Sequence, residues 1–195
     1  MKYISLFLYL LSASLLAQEK QMVTYVTDFP FQEGIYRSFE EFKQNAPSIQ
    51  AKIERQGSNL FVYDDSLEQM IRVNPDKVWG YSQSGNVYIS YDEAYWRFLN
   101  IGALTHFSAI VVSTFQTIDA FGFPVEQRSK SMKQLFLDFE NGKIYPLEYK
   151  ALVPYIENEP ILNQRFKKMK RKKDRELIVV LKAYNELYPI QFPVY

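Results

Sequence analysis

The chain has 195 residues, 47% hydrophobic and 23% charged, with 23 basic side chains against 22 acidic ones, one histidine and no cysteine. Length and apolar fraction of this order fit one domain with a sizeable core and disfavour disordered, collagen-like and coiled-coil classes. Without cysteine there are no disulfides, thiolate metal sites, thiol nucleophiles or acylated lipoprotein cysteine, and with one histidine most familiar catalytic constellations cannot be built.

Residues 1–17 have the layout of a signal peptide. Lys2 supplies a positive start, residues 4–11 are apolar, and the smaller Ser12, Ala13 and Ser14 follow before Ala17. The apolar run is shorter than the ~18 to 20 residues that span a bilayer, so cleavage is expected rather than retention as an anchor. The bond after Ala17 is the expected site, with the bond after Ser14 as the alternative. The remaining chain, about 178 residues, can bury enough apolar surface to fold without disulfides. It contains no Asn-x-Ser/Thr sequon, which makes a bacterial periplasm or exterior the simpler destination.

In the mature chain a short strand is expected over 23–26, broken by Asp28-Phe29-Pro30. Ser38, three residues before Glu41 and just ahead of Phe39 and Phe42, forms a capping-box pattern for a short helix that Asn45-Ala46-Pro47 ends. Residues 49–55 and 60–64 alternate apolar with polar around Gln56-Gly57-Ser58-Asn59 and read as a hairpin. The strand pattern continues over 67–73, 77–82 and 87–91, the last two joined across Ser84-Gly85-Asn86. β-Branched and aromatic residues fill 95–118, predicting one or two long strands broken near Gly102. Residues 121–127, with Gly122 and Pro124, read as a loop. Leu135, Leu137 and Phe139 alternate into Asn141-Gly142, and Ile144 and Tyr145 lead out, which predicts a tight type I′ hairpin.

Beyond Pro146 the period changes from strand to helix. Residues 147–156 read as a short helix, and Pro160 is placed to start another. Ile161, Leu162, Phe166 and Met169 form one apolar stripe, and Leu177, Leu181, Tyr184 and Tyr188 a second. Pro189 and Pro193 end the helical region, and the apolar tail over 190–195 is expected to tuck against the body. Strands in a run followed by helices indicate a single α+β domain over 18–195: a mainly antiparallel sheet of roughly seven to nine strands, then C-terminal helices.

The stretch Gly34-Ile35-Tyr36-Arg37-Ser38-Phe39-Glu40-Glu41-Phe42-Lys43, followed by Ala46-Pro47-Ser48-Ile49, resembles the opening of a group of exported Bacteroidota proteins of unknown function. Val78-Trp79-Gly80-Tyr81, residues 95–102 and Phe139-Glu140-Asn141-Gly142-Lys143-Ile144 are similar to the same group. The resemblance implies a secreted or periplasmic domain and carries over no catalytic residues.

The residues themselves nominate no catalytic set, cofactor or metal site. Gly80-Tyr81-Ser82-Gln83-Ser84-Gly85 has the wrong spacing for a nucleophile elbow, and His106 has no carboxylate near it in sequence. Asp64-Asp65 with Glu68, and Asp92-Glu93, sit at turns and do not match a calcium loop. A carboxylate-dependent hydrolase needs only two acids and is not excluded by composition. Trp79, Tyr81 and Trp96 could stack on a sugar or small ligand, although alternation puts Trp79 and Tyr81 on one strand face, where core packing is the simpler role.

The basic segment is different in kind. Arg165, Lys167, Lys168, Lys170, Arg171, Lys172, Lys173 and Arg175 are opposed within the segment only by Asp174, for a net +7, while the rest of the mature chain holds 14 bases and 21 acids. Overall neutrality is therefore a cancellation between a compact basic block and an acidic body. Such a block is suited to an anionic membrane surface, a glycolipid or an acidic protein; outside the cytoplasm nucleic acid is disfavoured. The leading expectation is a non-enzymatic exported domain that acts by binding through this C-terminal basic helix.

Overall fold

The computed structural model of the protein describes residues 21–168 and 174–194, apart from the side chain of Arg165. The signal-peptide reading of residues 1–17 lies outside the described residues. β1 (Gln21–Thr24) is followed by β2 (Gly34–Tyr36), α1 (Phe39–Lys43), β3 (Ile53–Gln56), β4 (Asn59–Asp64) and β5 (Gln69–Val73). Then come β6 (Gly80–Gln83), β7 (Asn86–Tyr91), β8 (Ala94–Asn100), β9 (Leu104–Ile118), β10 (Pro124–Asp138) and β11 (Ile144–Pro146). Three helices, α2 (Tyr149–Ile156), α3 (Pro160–Lys167) and α4 (Asp174–Leu187), precede the last strand, β12 (Gln191–Val194).

The architecture is α+β. A seven-stranded sheet has the order β11-β10-β9-β8-β7-β6-β2; β3-β4-β5 form a separate sheet and β1-β12 a two-stranded ribbon. Every strand pair is antiparallel. Among the described residues no helix is long and apolar enough to cross a membrane.

Local chemistry explains most boundaries. Ser38 Oγ accepts from Glu41 N at 3.2 Å and caps α1, while Glu41 Oε2 accepts from Arg37 N at 2.7 Å, so the capping-box pair acts at both sides of the helix start. Ser84 and Gly85 both take positive φ, +50° and +72°, giving the two-residue hairpin turn between β6 and β7. Between β8 and β9 the chain turns at Gly102, where a Cβ would lie 2.3 Å from Asn185 Cγ. Asn185 fills that space: its Oδ1 accepts from Leu104 N at 2.8 Å, and its Nδ2 donates to Leu104 O and Asn100 Oδ1 at 2.9 Å each.

Several local expectations need correction. The turn around Asn141-Gly142 is a four-residue loop, because Leu137 pairs with Ile144 and Asp138 N donates to Lys143 O. Only Gly142 takes a positive φ, +73°. The Asp138 carboxylate sets this geometry by accepting from Glu140 N and Asn141 Nδ2, an arrangement a two-residue turn does not permit. Residues 75–77 form a 3₁₀ turn capped by Asn74 rather than the start of a strand. Of 121–127, only the first three residues are loop, since Pro124 opens β10. Ile161, placed in an apolar stripe, is exposed, while Leu162 and Phe166 of that stripe are buried.

The layers follow from alternation. On β7, Val87, Ile89 and Tyr91 face one side with Phe98 and Phe107, and that side is covered by α1 and the β1-β12 ribbon, which contribute Phe42 and Phe192 together with Phe29 and Phe31. The rings interlock: Phe31 meets Phe192 edge-on at 5.0 Å, and Phe42 stacks on Trp79 at 4.6 Å. The apolar tail thus does tuck in, through Phe192.

The opposite face is covered in two pieces. Ile35, Tyr81 and Tyr95 lie under Leu60 of the small sheet, and Leu104 and Phe136 lie under the helices. There α2 buries Leu152 and Ile156, and α4 buries Leu177, Val180 and Leu181, spacings that put each set on one helix face. Full burial of each such side chain contributes ~1.5–3 kcal/mol.

Candidate functional site

Among the described residues, the far end of the longest hairpin is left largely uncovered. β9 and β10 pair continuously from Leu104↔Asp138 to Ile118↔Pro124. β8 accompanies β9 only at its near end, and β11 accompanies β10 only at 135–137. Asp92, at the tight turn between β7 and β8, accepts from Val112 N at 3.1 Å. Beyond that point the two strands form an arm that extends ~20 Å at the usual rise of a strand.

The arm is apolar where a free ribbon is normally polar. Phe115 is 47% exposed, Ile118 72%, Phe121 85% and Phe123 66%. β9 has no Asp, Glu, Lys or Arg in its 15 residues, whereas β10 carries Glu126, Arg128, Lys130 and Lys133. The uncharged free edge of β9 invites another surface, and a two-stranded ribbon is marginal in water by itself. The tip is nevertheless ordered: Asp119 Oδ1 accepts from both Phe121 N and Phe123 N at 2.9 Å, and Asp119 N donates to Phe123 O at 2.8 Å. This clasp holds the two phenylalanines in a preformed turn with their side chains exposed.

Of the predicted basic contact, Lys170, Arg171, Lys172 and Lys173 lie outside the described residues, as does the Arg165 side chain. Lys167, Lys168 and Arg175 are exposed, and none forms an ion pair among the described residues, where the pairs are Lys43–Glu40 and Arg128–Glu126. Phe166 and Leu177, buried on either side, anchor the flanks of the segment to the core. Asn185 near the C-terminal end of α4 binds Leu104 at the start of β9.

The aromatic candidates are separated. Tyr81 is fully buried and stacked on Tyr88 at 4.6 Å, and burial pushes its hydroxyl up to about 12. Trp79 precedes β6 and packs into the other face against Phe42, so the two rings do not share a strand face as alternation suggested. Trp96 is half-buried, with its indole N–H donating to Tyr91 O at 2.8 Å. No ring contact joins it to Trp79 among the described residues.

The other singled-out groups are occupied structurally. His106 is 4% exposed, with Nε2 2.8 Å from Gln134 Oε1, which also accepts from Ser108 Oγ at 2.7 Å. Desolvation, followed by the Lys182 charge, holds its pKa below the usual value against the opposing hydrogen bond from Gln134. Asp64 accepts from Ser66 N and Leu67 N and shapes the turn before β5.

Sequence reasoning missed one further feature. A cavity of about 280 Å³ lies where the turn after β10 meets α2 and the end of α4, lined by residues that include Asp138, Tyr155, Tyr184 and Tyr188. Their separation in sequence left no local signal. The fold is thus α+β, with a projecting apolar arm and an aromatic-lined cavity. No family model, curated protein or solved structure matches the chain.

Proposed function

We propose that the chain is an exported, envelope-associated binding protein that docks on an anionic membrane surface. In this reading the basic block from Arg165 to Arg175 supplies long-range attraction, and the β9-β10 arm supplies apolar contact. The observation that carries it is the arm, with Ile118, Phe121 and Phe123 exposed on a clasped turn and, on the strand behind it, the Arg128–Glu126 pair followed by Lys130 and Lys133. Apolar side chains at a tip with cations behind them match the order of acyl boundary and anionic headgroups. Export rests on the layout of residues 1–17 and on the resemblance to exported Bacteroidota proteins.

The test is co-sedimentation of the mature protein with vesicles of anionic and of zwitterionic lipid over a salt series. Binding is expected on anionic vesicles at low salt, weakening as salt rises. Replacing Lys170, Arg171, Lys172 and Lys173 by Gln is expected to weaken it by ~1 kcal/mol per charge, and F121S with F123S by at least tenfold at any salt. Absence of binding to anionic vesicles, or binding unchanged in both variants, overturns the reading. Salt-sensitive retention on an acidic protein with none on vesicles would replace the lipid by that partner.

A further inference from the structure

The tyrosine-lined cavity differs in sign from the rest of the proposed contact. Its lining includes the carboxylates Asp138 and Glu140 and the rings of Phe139, Tyr155, Tyr184 and Tyr188, and includes no Lys, Arg or His. Tyr155 and Tyr184 meet edge-on at 6.0 Å and 78°, and Tyr184 and Tyr188 lie 4.6 Å apart at 33°, so the three rings form one contiguous aromatic wall beside the cavity. Asp138 is 6% exposed, without a cationic partner among the described residues, and held by Glu140 N, Asn141 Nδ2 and Tyr155 Oη at 2.7–2.8 Å. Tyr188 donates to Glu159, which brings a third carboxylate beside the rings.

The electrostatic character agrees with that inventory. Burial first, then the charges of Asp138, Glu159 and Glu140, push the Tyr184 hydroxyl above its ordinary pKa. Burial and Asp138 do the same to Tyr155. An aromatic-lined hollow with negative surroundings attracts a large, weakly hydrated cation through exposed ring faces. It does not suit a calcium ion, which takes six to eight oxygens, because three donors already occupy the buried carboxylate. A volume of about 280 Å³ holds a head group rather than a drug-sized molecule.

We propose that this cavity, walled by Tyr155, Tyr184 and Tyr188 with Asp138 and Glu140 as counter-charges, binds the organic ammonium group of a small ligand. The rings supply cation-π contact and the carboxylates select for charge. The site is independent of docking on a membrane, and either can fail without the other.

The experiment is calorimetric titration of the mature protein with tetramethylammonium and with methylammonium, against neutral tert-butanol and sodium chloride as controls. Saturable binding of at least one ammonium, of the order of millimolar, is expected, with no response to either control. Y188A, at a surface position, and E140Q should each weaken it by up to about tenfold, while Y188F, which keeps the ring, should retain it. Circular dichroism and urea unfolding of the variants separate lost binding from lost fold. No ammonium binding at any concentration up to about 10 mM, equal binding of tert-butanol, or affinity unchanged in Y188A with E140Q would each overturn the proposal.

Discussion

The two halves of β9 have similar composition and opposite surroundings. Over 104–109 the strand is flanked by β8 and β10 and covered on both faces, with Phe107 fully buried on one side and Leu104 on the other. Over 112–118 the same kind of sequence, rich in Val, Thr, Phe and Ile, continues with one strand partner and both faces in solvent. β propensity and ladder hydrogen bonds are thus sufficient to continue a strand that a covered core has already started. They do not decide whether its side chains stabilise the fold or are held out for something else.

The sharpest way to break that comparison is to truncate equivalent rings in the two halves. F107A is expected to lose about 3–5 kcal/mol in urea unfolding, because a fully buried ring leaves a cavity among packed neighbours. F115A, on the same strand face, should change stability by less than about 0.5 kcal/mol. Equal losses would mean that the arm is packed in solution and is not free to contact a partner.

The joint between β8 and β9 comes next in size. N185A removes the hydrogen bonds that satisfy both backbone groups of Leu104 and is expected to cost about 1–3 kcal/mol in the same assay. G102A should behave similarly, since its Cβ displaces the Asn185 amide. Full stability in both would show that the strand break at Gly102 does not depend on the helix behind it.

His106 lies in the covered half and gives a pH-dependent test. Its folded pKa is depressed mainly by burial, so the unfolded chain takes up a proton that the folded chain refuses. Its stabilising contribution is complete above the unfolded value of ~6.5 and is lost as pH falls from there toward the folded value. Wild type is therefore expected to lose stability between pH 7.5 and 5.5 by more than H106Q does. Parallel profiles would place the ring in contact with water.

The smallest effect is expected from the largest deletion. Excising residues 113–129 and joining Val112 to Lys130 through Asn-Gly should leave the stability within about 0.5 kcal/mol, because the removed segment buries little. The same deletion should remove the apolar component of vesicle binding. An unfolded or strongly destabilised product would assign the arm to the core.

Much of the strand content was legible because Gly, Asn and Pro punctuate alternating runs: the β6-β7 turn, the break at Gly102 and the start of α3 at Pro160 all fall where the residues put them. Pro124 was misleading. It reads as a loop residue, yet it opens β10 at the tip of the hairpin, where its missing N–H costs no ladder bond. Asp119, four residues before Phe123, was the available signal for a clasped turn. Asn141-Gly142 misled in the other direction, since a buried carboxylate three residues earlier outweighs the local preference for a two-residue turn.

What the sequence determined by itself was the fold class and the charge pattern: a run of strands then helices in an α+β fold, and a block of eight cations set against an acidic remainder. Both are properties of neighbouring residues, and period and charge are summed locally. Only the tertiary structure decided which apolar residues are exposed, that Trp79 and Tyr81 enter different cores, and that Asp138, Tyr155 and Tyr184 line one cavity. Coverage depends on where distant segments pack, so two stretches as alike as the halves of β9 meet different fates.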